Sequence, residues 1–522
     1  MNILLIWPHK GSFGFQPIGL ALLSGALKKN GHKIKLFDTT TIDTGLEGDS
    51  VGGFAKNPFF KPVDYPVFEG AGKSLDFRKE LVSILEEFEP DIVGLSILFD
   101  TVDIGHLASE IVKSWKRDIP VIWGNMFPSL MCGTILEDKN VDYVCVGEGI
   151  EAFIEFADLF SAGRSPMDVR NIAYRAKDGR IVKNPMRPLL QDLDTLPFLD
   201  FSIFDHRHRL KPIDGEIKKG ADHIIAWGCV NKCTYCIHEP YRKLYSSCTG
   251  KYFRYYSVER IIDELKYLVR EWDISFFKFH DADFCLKPYE YFARLAKRYR
   301  EEINVPFAAM ANAYNVTREK VALLKEMNCV SLTLAIESGN DYLRTQILKR
   351  KETKEELIRA FGFVNEAGIK TVSFNMIGLP FDTRETIMET VELNRTCGVK
   401  YPNVGFFFPL EGTESMDISV RNGFYKYGES RMNYFTMPSL TLPEISREEL
   451  IALGARFVLY VKLPYVFYEY IRRSEKSDKV GMSLTEALND ILRKYVFENN
   501  GLWDERADEK DLIRTLEDIA QK

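Results

Sequence analysis

Two long stretches of the chain repeat one pattern: an apolar run of strand length, a stretch with helical spacing, then another apolar run. Strands alternating with helices build parallel sheets covered by helices, and this constrains the fold more than any other feature. In the first stretch, from Met1 to about Gly163, the strand candidates are Asn2–Trp7, Lys33–Phe37, Asp91–Ser96, Pro120–Trp123 and Val141–Val146. Ile18–Lys29, Ile104–Lys116 and Pro128–Asp138 carry helical patterns between them. This order predicts a doubly wound sheet that binds ligands beyond the carboxyl ends of its strands. In the second stretch, from about Gly220 to Thr413, strands are expected near His223–Ala226, Phe276–Phe279, Phe307–Ala309, Ser331–Ile336, Thr371–Ile377 and Gly405–Phe408. Helices such as Val258–Arg270 and Thr353–Ala367 separate them. Six such units predict a barrel-like parallel sheet with its chemistry at the C-terminal strand ends.

Between the two stretches, Asn171–Lys183 reads as a hairpin turning on Asp178-Gly179, and Pro188 to Phe204 as a linker. After about Glu414 the chain is mostly helical and aromatic. Its segment Leu450–Arg473 carries Phe457, Tyr460, Tyr465, Phe467, Tyr468 and Tyr470, with Pro464 expected to kink or divide the helix. Packing against the barrel is the default for such a segment; a pocket wall or a membrane surface are the alternatives. Thr39 to about Lys73 lacks any period, and a loop of that length is often a lid or binding loop. Gly70-Ala71-Gly72-Lys73-Ser74 within it resembles the end of a phosphate-binding loop. Val67 stands where that motif needs glycine and no strand leads in, so the match reads as ordinary loop.

A chain of 522 residues is too long for one hydrophobic core, and 45% hydrophobic with 28% charged residues is ordinary for a globular protein. A net charge of −6 gives no bulk attraction to nucleic acid or anionic membrane. The apolar start Met1–Pro8 has no basic leader and is strand length, so it reads as mature protein, and no run of about 18 uncharged apolar residues is available to span a bilayer. The nine cysteines, odd in number and partly clustered, do not resemble a disulfide framework; the expectation is a cytoplasmic, reduced protein.

Three of those cysteines carry the chemistry. Cys229, Cys233 and Cys236 form a C-x3-C-x2-C loop directly after the first strand of the second stretch. Three thiolates at this spacing can ligate three irons of a 4Fe–4S cluster, leaving the fourth iron open. An open iron can take the amine and carboxylate of S-adenosylmethionine, whose S–C5′ bond an electron from the cluster then breaks. The competing reading is a zinc knuckle, but zinc favours four closed ligands and only His238 is near enough to supplement the three. The cysteines at 132, 145, 248, 285, 329 and 397 form no second C-x2-C pair and read as small buried side chains.

These residues resemble the radical S-adenosylmethionine superfamily, and the likeness continues along the chain. Phe279-His280-Asp281-Ala282-Asp283-Phe284 is similar to the acidic turn ending the family's second strand, and Ala335-Ile336-Glu337-Ser338-Gly339 to its fourth-strand motif. Lys349-Arg350-Lys351-Glu352-Thr353 resembles the basic segment that follows. Gly378-Leu379-Pro380-Phe381-Asp382-Thr383 and Pro409-Leu410-Glu411-Gly412-Thr413 resemble the turns after the fifth and sixth strands, with Phe381 and Asp382 as departures. In the first stretch, Gln16-Pro17-Ile18-Gly19-Leu20-Ala21, Gly94-Leu95-Ser96, Trp123-Gly124-Asn125-Met126-Phe127-Pro128 and Val146-Gly147-Glu148-Gly149 fall in the order seen in members with an N-terminal cobalamin-binding domain. Gly124-Asn125 replaces a common Gly-Gly, and no Asp-x-His-x-x-Gly supplies a lower histidine ligand to cobalt.

The resemblance implies an α/β architecture: a Rossmann-like cobalamin-binding domain (residues 1–180), a linker (181–219), a partial (βα)6 radical barrel (220–415) and a helical C-terminal domain (416–522). It implies a 4Fe–4S cluster on Cys229, Cys233 and Cys236. Tyr235, Asp281, Glu337, Ser338, Arg350 and Asn375 are the implied contacts to S-adenosylmethionine. Pro17, Gly19, Leu20, Ser96, Leu98, Gly124, Asn125, Phe127, Gly147, Glu148 and Gly149 are the implied contacts to cobalamin. Small residues at strand ends would let a large flat ligand approach the backbone; a scaffold that has lost its cofactor is the alternative. Bland readings also stand: an ion pair for Glu337, solvation for Arg350, a core hydrogen bond for Asn375, loop ordering for Asp281 and Asp283, and a satisfied structural role for His280. The implied activity is methyl transfer to an unactivated carbon through a 5′-deoxyadenosyl radical and methylcobalamin. The alternatives are radical oxidation, cyclisation or rearrangement, and a non-catalytic regulatory protein. The expected partners are a small-molecule, lipid or peptide substrate and an electron donor such as flavodoxin or ferredoxin, with no nucleic acid.

Overall fold

The computed structural model describes residues 1–9, 14–42, 75–213, 215–426 and 437–521. The phosphate-loop-like segment 70–74 and most of the aperiodic stretch 39–73 lie outside them. Two sheets organise the chain. The first has the order β2-β1-β3-β4-β5-β6-β7, with β1 (Asn2–Trp7), β2 (Lys33–Asp38), β3 (Ile92–Ser96), β4 (Val121–Gly124), β5 (Tyr143–Cys145), β6 (Ile172–Arg175) and β7 (Ile181–Lys183). β1 to β5 are parallel, and β6 and β7 continue the sheet as an antiparallel hairpin. This sheet therefore runs past residue 180 to Lys183. Alternate residues of β1 face opposite layers, Leu4 and Ile6 on one side, Ile3 and Leu5 on the other, so both faces are covered and the strand is apolar throughout. Because β1 pairs with both β2 and β3, the chain reverses direction across the sheet there and leaves a crevice at the carboxyl ends of β1 and β3. Gln16–Leu20 and Ser96–Leu98 follow those two strands.

The second sheet begins inside the expected linker, with β8 (Leu210–Ile213) antiparallel to β9 (Glu216–His223). The first barrel strand is thus Glu216–His223, earlier than expected, because Ala226–Trp227 (β10) leaves the sheet to pair antiparallel with Arg254–Tyr255 (β11). β12 (Phe276–Phe279), β13 (Phe307–Ala311), β14 (Cys329–Glu337), β15 (Lys370–Ile377) and β16 (Tyr401–Phe406) then add in sequence order, each parallel to the last. Six parallel strands in sequential order curl as part of a barrel. Phe277, Phe279, Leu332, Leu334 and Ile336 are buried among the outer helices. The alternate residues face the concave side, where Phe374 of β15 stays 38% exposed.

The C-terminal helices build a separate core with β16 and β15. Pro464 divides the aromatic segment between Arg447–Lys462 and Tyr468–Ser474. Phe457, Tyr460 and Phe467 are buried there, and the Arg395 guanidinium lies 4.1 Å over the Tyr465 ring, so this segment packs on the barrel. Among the described residues no helix is long and apolar enough to cross a membrane.

Candidate active site

The cysteine loop is held by backbone and side-chain contacts around it, and the Cys229 sulfur accepts from the Asn231 N–H at 3.4 Å. Gly228 has φ +83°, and a Cβ there would run into the Tyr252 carbonyl, so the turn into the loop requires glycine. Thr234, fully buried, donates its hydroxyl to the Ile347 carbonyl at 2.6 Å and its N–H to Leu348 at 3.2 Å, and accepts from the Ser415 N–H at 3.0 Å. Arg242 grips the carbonyls of Cys229 at 2.9 Å and Asn231 at 2.5 Å. All nine cysteines are free thiols. Burial pushes the Cys233 thiol up to about 12 and the Cys236 thiol up to about 11, and it raises Cys229 as well. Burial acts against the pull of Arg350 on Cys233 and Cys236 and of Arg242 on Cys229, and these cations favour a group that binds all three as thiolates. Zinc favours four closed ligands, and this loop offers three thiols. His238 is engaged elsewhere, its Nδ1 3.0 Å from the Tyr252 hydroxyl, and burial pushes its pKa down to about 4. A cluster spreads its thiolates over separate irons and fits this donor set.

Beside the loop, a bulge in β14 between Ala335 and Glu337 turns the Glu337 side chain off the strand with φ +62°. The Tyr235 hydroxyl donates to Glu337 Oε1 at 2.8 Å and accepts from Arg350 Nη1 at 3.1 Å. Arg350, which the sequence left open to solvation, is only 6% exposed and binds Glu352 at 2.7 Å, the Asn312 carboxamide at 3.2 Å and the Ala335 carbonyl at 3.2 Å. Its Nε is buried and has no hydrogen-bond partner among the described residues. Burial raises the Glu337 carboxyl above its ordinary range, against the pull of Arg350 and the Tyr235 hydrogen bond. A carboxyl ready to accept donors beside an orphan guanidinium N–H fits a zwitterionic ligand such as S-adenosylmethionine. Ser338 orders the turn, its hydroxyl accepting from the Asn340 N–H at 3.2 Å and its carbonyl from Arg344 at 3.1 Å, which leaves its O–H to donate. Asn312 carries no sequence motif, yet it links Arg350 to Asp283 at 3.1 Å.

Two expected contacts to S-adenosylmethionine are corrected. Asp281 is fully buried, bound to the Lys287 ammonium at 2.6 Å and the Ile225 N–H at 3.1 Å, so it orders the strand-end turn. Asn375 shares its face of β15 with Ser373 and is spent on Ser373 at 2.9 Å, Asn394 at 2.7 Å and the Asn403 carbonyl at 2.8 Å. Asn394 lies in the covering helix Arg384–Thr396, so Asn375 faces the helix layer, away from the concave side.

At the first sheet the strand ends form an open shelf. Gly19 is exposed and a Cβ there would meet nothing within 4 Å; Gly124 has only Cys145 at 3.9 Å. Pro17, Ser96, Leu98 and Phe127 are half-buried around it, and Asn125 is exposed. Asn125 has φ +89°, a conformation that favours glycine, and is held by its own side chain, which accepts from Met126 N–H at 2.8 Å and donates to Ser96 Oγ at 2.9 Å. The other four residues expected to touch cobalamin already have partners within the protein. Leu20 is 5% exposed and belongs to the core. A Cβ on Gly147 would collide with the Tyr245 hydroxyl, so the protein itself fills the space beside that glycine. Glu148 pairs with Arg254 at 2.5 Å, and Gly149 caps the helix Ile150–Ser161.

The shelf and the cysteine loop meet through the short helix His238–Leu244 and its C-cap Tyr245. Tyr241 donates to the Asn125 carbonyl at 3.2 Å, and Tyr245 accepts from the Glu148 N–H at 2.6 Å. On the other flank the Gln16 N–H donates to Asp222 of β9 at 3.0 Å. Sequence reasoning missed these bridging groups; the only signal was two tyrosines one helical turn apart just after the cysteines.

Comparison with known proteins agrees with this geometry. The family model "Radical SAM superfamily" matches residues 224–393, and "B12 binding domain" matches residues 60–157. The chain is 24% identical over 441 residues to an uncharacterized methyltransferase of Pyrococcus horikoshii, covering 83% of this chain and 90% of that protein. It is 24% identical over 486 residues to cytidylyl-2-hydroxyethylphosphonate methyltransferase of Streptomyces wedmorensis, covering 84% and 85%. Its fold matches the cobalamin-dependent S-adenosylmethionine radical enzyme OxsB, solved with aqua-cobalamin and S-adenosylmethionine, at TM-score 0.64 and 13% identity over 100% of this chain and 75% of that one. A shelf of strand ends set against a three-cysteine barrel, with both family models in that order, identifies the chain as a member of the radical S-adenosylmethionine superfamily that carries a B12-binding domain.

Proposed function

We propose that this protein is a cobalamin-dependent radical S-adenosylmethionine methyltransferase that methylates an unactivated carbon of its substrate. The observation that carries this reading is the contact of Tyr241 with Asn125, which sets the strand-end shelf directly against the helix that follows the cysteine loop. Both relatives described above are named methyltransferases. When bound, the cluster and S-adenosylmethionine supply a hydrogen-abstracting 5′-deoxyadenosyl radical, and cobalamin supplies methyl-transfer chemistry. The chain's own residues set the geometry. Cys229, Cys233 and Cys236 hold the cluster, while Glu337, Tyr235 and Arg350 orient S-adenosylmethionine. Pro17, Gly19, Ser96, Leu98, Gly124, Asn125 and Phe127 offer cobalamin an open bed. The substrate, a small molecule, lipid or peptide, enters between the two sheets, and a flavodoxin or ferredoxin of the cytoplasm supplies electrons.

The test is label transfer and stoichiometry. With methyl-deuterated S-adenosylmethionine, product should carry the label, and 5′-deoxyadenosine and S-adenosylhomocysteine should form in near-equal amounts. Substrate-dependent 5′-deoxyadenosine without label in product would replace methyl transfer by cyclisation or oxidation.

A further inference from the structure

The concave face of β12 carries a cation, Lys278, that shares the single carboxylate of Asp222 with Lys211. Phe277 and Phe279 are buried in the outer layer, whereas Lys278 between them is exposed although its strand is paired on both sides, with β9 and β13. Alternation along the strand therefore points Lys278 to the concave side, together with His280 two positions on, whose side chain is 23% exposed. Across the ladder, Lys278 pairs in register with Asp222, which is 1% exposed.

Asp222 is already committed. It binds the Lys211 ammonium at 2.5 Å, the Gln16 N–H at 3.0 Å and His280 Nε2 at 2.8 Å. Lys211 balances its charge and also donates to the Gly14 carbonyl at 2.7 Å. The other carboxyls of this strand end are spent, Asp281 on Lys287 and Asp283 on Asn312 and Asn315. The Lys278 side chain makes no hydrogen bond or ion pair with any described residue, so one positive charge is left over. Phe15 stands edge-on to the His280 ring at 5.6 Å, and Trp7 ends β1 at 6.2 Å from Phe15, so the pair lies where β1 meets β12.

We propose that Lys278 and His280 form a subsite for an oxyanion of the substrate, a phosphate or a carboxylate, with Asp222 positioning His280. Nε2 of His280 carries the proton it shares with the Asp222 carboxylate, which leaves Nδ1 for the ligand. Lys278, exposed on the same face, adds a mobile point charge beside it. The subsite lies at the junction of the two sheets, and it rests on the proposed entry of substrate there.

Amine labelling tests it without turnover. The full chain is treated with pyridoxal 5′-phosphate and borohydride, and the modified lysines are mapped by mass spectrometry, with inorganic phosphate or acetate added at constant ionic strength. Lys278 should label ahead of exposed surface lysines such as Lys251. Inorganic phosphate or acetate, at roughly ten times its dissociation constant, should slow labelling at Lys278 by about tenfold while leaving Lys251 unchanged. The more protective anion names the phosphate or carboxylate source. His280→Gln should lower the protection at Lys278. Labelling of Lys278 no faster than Lys251, or without protection by either anion, would overturn the subsite and leave methyl transfer standing.

Discussion

Tyr241 reaches from the barrel to the backbone carbonyl of Asn125 at 3.2 Å, tying the helix after the cysteine loop to the end of β4. The same carbonyl accepts from Ser129 Oγ at 2.6 Å, and Ser129 Oγ in turn accepts from the Gly147 N–H at 2.9 Å. One hydrogen-bonded chain thus joins the ends of β4 and β5 to the barrel, and the relative placement of the two cofactor sites depends on it.

Gly147→Ala tests that junction. Gly147 has φ +77° and its missing Cβ is where the Tyr245 hydroxyl lies, so alanine is strained and displaces the helix His238–Leu244. The expected cost is about 2–3 kcal/mol, read as a lower midpoint in thermal or urea unfolding, with faster proteolysis between the two sheets.

Arg350→Lys keeps the charge and removes the fork that spans Tyr235, Asn312, the Ala335 carbonyl and Glu352. Affinity for S-adenosylmethionine should fall by about tenfold or more, roughly 1.4 kcal/mol, while iron content stays at about four per chain. Equilibrium dialysis beside an iron assay separates the two; unchanged affinity would remove Arg350 from the binding site.

These groups show what was legible in the chain. Strand bounds such as Asn2–Trp7 and Phe276–Phe279 could be read because apolar runs flanked by helical patterns have one stable packing. The cysteine loop could be read because its spacing is local. Which way a strand residue faces could not: Asn375 looked like a polar group at an active strand end, but its face is set by Asn394, nineteen positions on in a covering helix. Gly147 read as room for a ligand, yet Tyr245 from the other domain occupies that space. Asn312 and Asp222 act through partners distant in sequence, and no local pattern announces them.

Asp382 gives a pH dependence. It is 2% exposed and accepts from the Gly378 and Leu379 N–H groups at 2.9 and 3.3 Å, and burial pushes its carboxyl up to about 7. In the unfolded chain it ionises near the ordinary 3.8, so its contribution to stability is complete below about pH 4 and is lost as pH rises through about 7. Asp382→Asn, which keeps an acceptor for both N–H groups, should flatten the stability profile across that window and raise stability at pH 8 by an amount on the order of 1–3 kcal/mol. Urea midpoints at pH 5 and pH 8 check it; an undiminished pH slope in the variant would place the titrating group elsewhere.

The central claim is that the cluster and cobalamin face each other across the Tyr241–Asn125 junction. Its most direct test is electron paramagnetic resonance of protein holding hydroxocobalamin and a reconstituted cluster, both poised in their paramagnetic reduced states. The expected result is a cob(II)alamin signal broadened and relaxed faster by the neighbouring cluster, with no splitting from an axial nitrogen. Both effects of the cluster should vanish when Cys229, Cys233 and Cys236 are all replaced by alanine. A cob(II)alamin signal identical with and without the cluster, in protein shown to retain both, would contradict the account.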